Sequence, residues 1–164
     1  MGSSVIISEA YLTIAVVIAA SILVSSFSMG LIRVQDFQRE QLDSYKEKMD
    51  TQIKIIYAHA KVGNNTIIVW VKNIGLKSLP LSLITESTDI FFGNITKYLR
   101  VKYNDPSTPK WTLSIENDLD SDGRWDPKET IKVVITWVSN LSVGDYVIRI
   151  VTYAGTEDEY TFSL

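Results

Sequence analysis

Between residues 118 and 129 the chain reads Asp-Leu-Asp-Ser-Asp-Gly-Arg-Trp-Asp-Pro-Lys-Glu, a full match to the pattern D-x-D-x-D-G-x5-E of calcium-binding loops. The spacing has a chemical reason. Carboxylates at alternate positions, Asp118, Asp120 and Asp122, can converge on one cation, and Gly123 permits the sharp turn that follows them. The backbone carbonyl of Arg124, a direct or water-mediated oxygen from Asp126 and a bidentate Glu129 would complete the oxygen shell that Ca²⁺ prefers. Trp125 supplies the apolar residue that such a loop buries. Four Asp in nine residues repel one another unless a cation sits among them, so Ca²⁺ is the expected cofactor. A plain solvated acidic turn is the competing reading, because the flanking segments 111–116 and 130–138 read as strands, not helices, and Pro127 falls inside the loop.

Other chemistry is thin. His59 is the only histidine and there is no cysteine, which excludes His-based triads, multi-histidine metal sites, thiolate sites and disulfides. No Walker loop, G-x-G-x-x-G, G-x-S-x-G or H-E-x-x-H occurs, so no enzymatic activity is expected. The net charge of −3 and a pI near 5.2 argue against a nucleic-acid partner, which needs a basic face to release counterions. Three N-x-[ST] sequons, at Asn64, Asn94 and Asn140, fall in or near expected turns and are glycosylation candidates.

The element that positions everything else is an uncharged run over residues 10–32, bounded by Glu9 and Arg33. At about 1.5 Å per residue it makes a rod of roughly 34 Å, against a hydrocarbon core of about 30 Å. A single transmembrane helix is expected. Its polar groups, among them Thr13, Ser21 and Ser25, are hydroxyls that can bond back to helix carbonyls. A cleaved secretory signal fits less well, since no basic segment precedes the run and the usual apolar stretch is about 7–15 residues.

Residues 33–50 are polar and free of Gly and Pro, so the helix should continue as a stalk. Phe37, Gln41, Tyr45 and Met49 form a thin stripe on it, which suits either an exposed stalk or a pairing helix for a homodimer. From Thr51 the period becomes twofold: Ile53, Ile55, Tyr57 and His59 alternate with Lys54, Ile56, Ala58 and Ala60. Further strands are expected at 66–72, 79–85, 89–92, 98–103, 111–116, 130–138, 146–153 and 159–163, with Pro80 marking an edge or bulge. Short strands punctuated by Gly, Pro, Asn and Asp, with no helical pattern between them, imply an all-β antiparallel sandwich. The expected division is a head over 1–9, a transmembrane helix over 10–32, a stalk over 33–50 and a β-sandwich over 51–164.

Orientation is contested by two signals. Arg33, Arg39, Lys46 and Lys48 follow the apolar run and no basic residue precedes it, which by charge would hold the β domain inside. The sequons and the calcium-type loop agree on an exterior domain, and that orientation is favoured.

The uncharged head, the single hydrophobic helix, the charged stalk, the strand-and-turn Ile-Ile-Val-Trp-Val-Lys-Asn-Ile-Gly at 67–75 and the acidic loop at 118–127 together resemble the archaellin-like proteins of the archaeal motility machinery. The likeness is to the FlaF family, with its paralogue FlaG next. The resemblance implies an immunoglobulin-like β-sandwich held in the pseudoperiplasm by its membrane helix. It also implies a stator component that anchors the motor to the surface-layer protein and works with other archaellum components such as a FlaG-like paralogue. The rival within the same superfamily is a filament subunit, an archaellin or type IV pilin-like protein. Glu9 would be the fifth residue of a chain processed before Val5, yet the basic residues of a class III signal do not precede it, so an unprocessed anchor is expected. A generic membrane-tethered adhesion module is the third reading, by fold analogy.

Overall fold

The structure is a computed structural model that describes residues 2–107, 109–118 and 120–164, with side chains described from Ser8 onward. Met1 of the head and Leu119 of the acidic loop lie outside the described residues. The chain divides into two compact units, Met1–Tyr45 and Lys46–Leu164.

The first unit is helix. One helix, α1 (Gly2–Asp50), runs without interruption through the apolar run and the stalk. Its portion Ser8–Asp50 is long and apolar enough to cross a membrane. Leu23 and Phe27 are 70% and 71% exposed, an apolar surface of the kind that lipid solvates. Thr13 and Ser21 donate their hydroxyls to the carbonyls of Glu9 and Val17, both at 2.8 Å, which hides these polar groups inside the helix.

The second unit begins with the last turn of α1. Leu76 and Lys77 both donate N–H bonds of 2.9 Å to the carbonyl of Asp50, while Ile74 and Gly75 donate to that of Gln52. A Cβ on Gly75 would lie 2.2 Å from the Asp50 oxygen, so only glycine lets this turn approach the helix end.

Beyond it the strands are β1 (Ile53–Ala60), β2 (Thr66–Asn73), β3 (Leu79–Pro80), β4 (Asp89–Asn94), β5 (Lys97–Tyr103), β6 (Lys110–Ile115), β7 (Arg124–Trp125), β8 (Thr130–Thr136), β9 (Asp145–Val151) and β10 (Glu157–Ser163), with helix α2 (Leu81–Ser87) after β3. The ladder runs β1-β2-β8-β6-β5-β4-β9-β10 and folds into two layers. All its pairings are antiparallel except the short parallel join of β5 to β6, where Lys102 faces Lys110 and Tyr103 faces Trp111. This join, which strand patterning did not foresee, is where the chain passes from one layer to the other. β2 and β8 alternate buried and half-buried residues along their whole length. Ile67, Val69, Val71, Val133 and Ile135 from one layer meet Ile90, Phe92, Ile148 and Ile150 from the other. The two outer strands are linked by Asp158, which accepts the N–H of Ile55 at 2.7 Å and the ammonium of Lys54 at 2.8 Å.

Two expectations are corrected. The segment 79–85 is not a strand past Pro80: its fixed φ of −62° and missing N–H end the ladder, and α2 follows with Ile84 turned into the core. In β1 a bulge between Ile55 and Tyr57 shifts the phase, so Ile53, Ile55 and Ala58 are buried while Ile56 and Tyr57 are exposed.

Candidate functional site

The acidic loop joins β6 to β8, and its neck is closed by bonds from Glu116 N–H to the Thr130 carbonyl, 2.9 Å, and from Thr130 N–H to Asn117 Oδ1, 2.7 Å. Inside it the carboxylates are turned inward by backbone N–H donors. Asp118 Oδ2 accepts from Gly123 at 3.1 Å, Asp120 Oδ1 from Asp122 at 3.3 Å, and Asp122 Oδ1 from Arg124 at 2.7 Å. The left-handed conformations of Ser121 (φ 60°), Gly123 (φ 71°) and Lys128 (φ 77°) make the tight path that allows this.

The outcome is two overlapping oxygen clusters. One oxygen each from Asp118, Asp120 and Glu129 lie within 4.8 Å of one another, and so do oxygens of Asp120, Asp122 and Asp126. Asp120 belongs to both. Local desolvation, together with the charges of Asp122, Asp126 and Asp118, holds the exposed carboxyl of Asp120 above the usual range, against the opposing bond from Asp122 N–H. Asp118 Oδ1 and Asp126 Oδ1 are buried without a hydrogen-bond partner among the described residues. An oxygen-rich group of this kind can accept a hard divalent cation. Arg124 turns its side chain onto Ser78, with Nε 2.6 Å from Oγ, and its strand β7 pairs with β3.

The loop is fastened to the core from below. Trp125 is buried and donates its indole N–H to the Glu129 carbonyl at 3.1 Å, while Glu129, itself 1% exposed, accepts the N–H of Asp126 at 3.0 Å. Asn73 completes the lock. This fully buried amide donates to the carbonyls of Trp125 and Lys77, both at 3.0 Å, and accepts from Gly75 N–H at 3.0 Å. Its own backbone exchanges bonds with Glu129 and Lys128. Sequence reading places Asn73 in the Asn-x-Gly turn that closes the strand over 66–72 and does not foresee its buried lock on Trp125.

The remaining candidates are surface groups. His59 is half-buried on β1, its ring 6.4 Å from that of Tyr57, with no acid cluster around it among the described residues. Asn64, Asn94 and Asn140 are all exposed.

The family model for archaeal-type flagellin matches residues 2–162. The chain belongs to the archaeal-type flagellin family. Within reach of this family stand solved structures of stator proteins. The archaellum periplasmic stator protein FlaG from Sulfolobus acidocaldarius is 28% identical with a TM-score of 0.57, over 68% of this chain and 99% of that one. The stator complex of FlaF and FlaG from the same organism matches with the same identity and score, over 68% of this chain and 89% of that one. A search of curated proteins finds no match. This archaeal-type flagellin family member is therefore archaellum stator-like, in agreement with the resemblance carried by its helix, strand-and-turn and acidic loop.

Proposed function

We propose that the protein is a membrane-anchored stator or anchor component of the archaellum. In this reading α1 passes the cell membrane once, the β-sandwich stands outside the cytoplasm in the pseudoperiplasm, and the sandwich binds surface-layer protein so that the motor is held in the envelope. The supporting observation is the likeness to FlaG over nearly all of that chain, joined here to a helix apolar enough to cross a membrane. A FlaG-like paralogue is the first partner to expect, since FlaF and FlaG form a complex in Sulfolobus acidocaldarius. The exposed Phe37, Tyr45 and Met49 of the stalk offer a seam for a homodimer. The role is mechanical, not catalytic.

Protease added to intact spheroplasts should digest the sandwich, and pull-downs from solubilised envelope should recover surface-layer protein. A protected sandwich reverses the orientation, and recovery of no envelope protein removes the anchoring role. The match of the flagellin model through residues 2–162 favours a filament subunit as the second reading. Intact mass separates the two: an anchor keeps its head, and a processed subunit loses it.

We also propose that the acidic loop binds Ca²⁺ through Asp118, Asp120, Asp122, Asp126 and Glu129, with the Arg124 carbonyl as a further oxygen. The buried oxygens of Asp118 and Asp126, unpartnered among the described residues, support this. The ion would stiffen the connection from β6 to β8 and thereby the sandwich.

A further inference from the structure

The two layers of the sandwich turn unlike faces to solvent. On the layer β1-β2-β8-β6 the register sets the outward side chains in rows across the strands. Tyr57 stands opposite Trp70, Trp70 opposite Lys132, and Lys132 opposite Ser114. The neighbouring row reads His59, Ile68, Val134 and Thr112, and the row on the other side reads Lys54, Lys72 and Thr130. The bulge in β1 gives this face its centre. Strict alternation from Ile53 and Ile55 would turn Tyr57 into the core, and the phase shift after Ile55 turns it out instead, 51% exposed. Its ring lies 5.8 Å from that of Trp70 and 6.4 Å from that of His59, with planes inclined by 27° and 23°. The three rings make one aromatic surface.

The charge on this layer has a single sign. β1, β2 and β8 contain Lys54, Lys72 and Lys132 and no Asp or Glu. Lys54 is held by Asp158, and Lys132 lies 3.9 Å from Glu116. Lys72 and Lys110, the latter on β6 opposite Thr136, have no ion-pair partner among the described residues. The other layer differs. There Arg100 is engaged by Asp89 at 2.6 Å and Arg149 by Glu157, and Glu159 stands opposite Arg149 in the register. In a chain of net charge −3, the aromatic and cationic surface is thus set on one face of the sandwich.

Size and chemistry select the occupant. Four strands at about 4.8 Å spacing measure about 14 Å across, and the eight residues of β2 run about 26 Å, so the face is roughly 360 Å² in outline. A stable protein partner needs about 800 Å² on each side. An extended polymer laid across the strands needs only one row. Aromatic rings pack the C–H faces of pyranose rings, the hydroxyls of Thr112, Ser114, Thr130 and Thr136 can exchange hydrogen bonds with those of a sugar, and ammonium groups pair with carboxylate or sulfate. All three kinds of group are present here in adjoining rows.

We propose that the outer face of the β1-β2-β8-β6 layer is a platform for an acidic polysaccharide, a chain bearing uronate or sulfate groups that lies over Tyr57 and Trp70 with its anions on Lys72 and Lys132. This deepens the anchoring role and rests on the exterior orientation given above, since it gives the sandwich a non-protein contact in the envelope.

The test is calorimetric titration of the detergent-solubilised full chain with polygalacturonate, beside dextran as a neutral polysaccharide, polyglutamate as an acidic peptide and oligothymidylate as a nucleic acid. The expected result is saturable binding of polygalacturonate that weakens with salt, and none of dextran. Tyr57→Ala, at an exposed position, should weaken binding about tenfold with Tm unchanged, and Trp70→Phe should cost less than that. Lys72→Gln should flatten the salt dependence. No saturable binding overturns the platform. So does binding of polyglutamate or oligothymidylate as tight as that of polygalacturonate, or binding that Tyr57→Ala leaves unchanged. The envelope pull-down keeps the two readings apart: surface-layer protein recovered by a chain that ignores polygalacturonate sinks the platform and spares the anchor, and the converse result spares the platform alone.

Discussion

The two ends of the sandwich are built on opposite plans. At the end where α1 enters, polar groups are turned inward: Asn73 and Glu129 are fully buried, and carboxylates are held by backbone N–H donors in a crowded loop. At the other end the side-chain amides of Asn64, Asn94 and Asn140 face solvent on tight turns. The difference teaches where this fold keeps stability and where it keeps freedom. Inward polar groups are costly to disturb, because each lost partner leaves a desolvated atom behind. Outward amides can be changed at little cost to folding.

The widest gap between the ends should come from Trp125→Ala. It removes a buried aromatic side chain and the bond to Glu129, and should lower stability by about 3–5 kcal/mol in chemical denaturation of the detergent-solubilised chain. A loss below 1 kcal/mol would mean the loop is not fastened to the core as described.

Next in size is calcium. At a hundredfold excess over Kd the gain by linkage is about 2.7 kcal/mol, read as a higher Tm in calcium than in chelator, with magnesium doing less. Asp120→Ala should abolish the difference, because that residue belongs to both oxygen clusters. An equal calcium shift in the variant would place the ion elsewhere. Asn73→Ala should follow at about 1–3 kcal/mol, since it strands the carbonyls of Trp125 and Lys77 and the N–H of Gly75. At the other end, Asn94→Gln should stay within about 0.5 kcal/mol of the parent.

The smallest effect concerns pH, at a third place. The hydroxyl and N–H of Ser107 hold the Asp105 carboxyl below its ordinary range, helped by Lys102. A carboxyl lowered on folding stabilises the native state above its unfolded pKa, about 3.9, and that contribution is lost as pH falls through the lower folded value. Ser107→Ala should therefore lower Tm slightly at neutral pH and converge with the parent in strong acid. A difference that grows on acidification would contradict the assignment.

How much of this was legible in the residues depended on how local the deciding interaction is. β2 and β8 announce themselves because one face is buried along their full length, so alternation and burial coincide. The acidic loop is legible because its turn chemistry and its carboxylates lie within one short stretch. The segment after Pro80 misleads, since Ile84 and Thr85 favour strands while the proline ends the ladder and starts a helix. The face reversal in β1 follows from one bulge that alternation does not reveal. Asn73 could not be valued from sequence, because its partner Trp125 lies 52 residues away. The same is true of the sequons, which the bonds of Leu141 with Gly63 and Asn64, and of Tyr146 with Ser142, bring to one end of the sandwich.

The link made by Asp158 bears on assembly. Outer strands with bare amides invite neighbours to add on and propagate a fibre, and here one carboxylate occupies the Ile55 amide while a bulge beside it spoils the register. Copies of this domain brought close together are thereby hindered from zipping into one another strand by strand. Any ordered array they join must be held by contacts between side chains or between helices, which can be released and remade, and not by a continuous backbone ladder, which cannot.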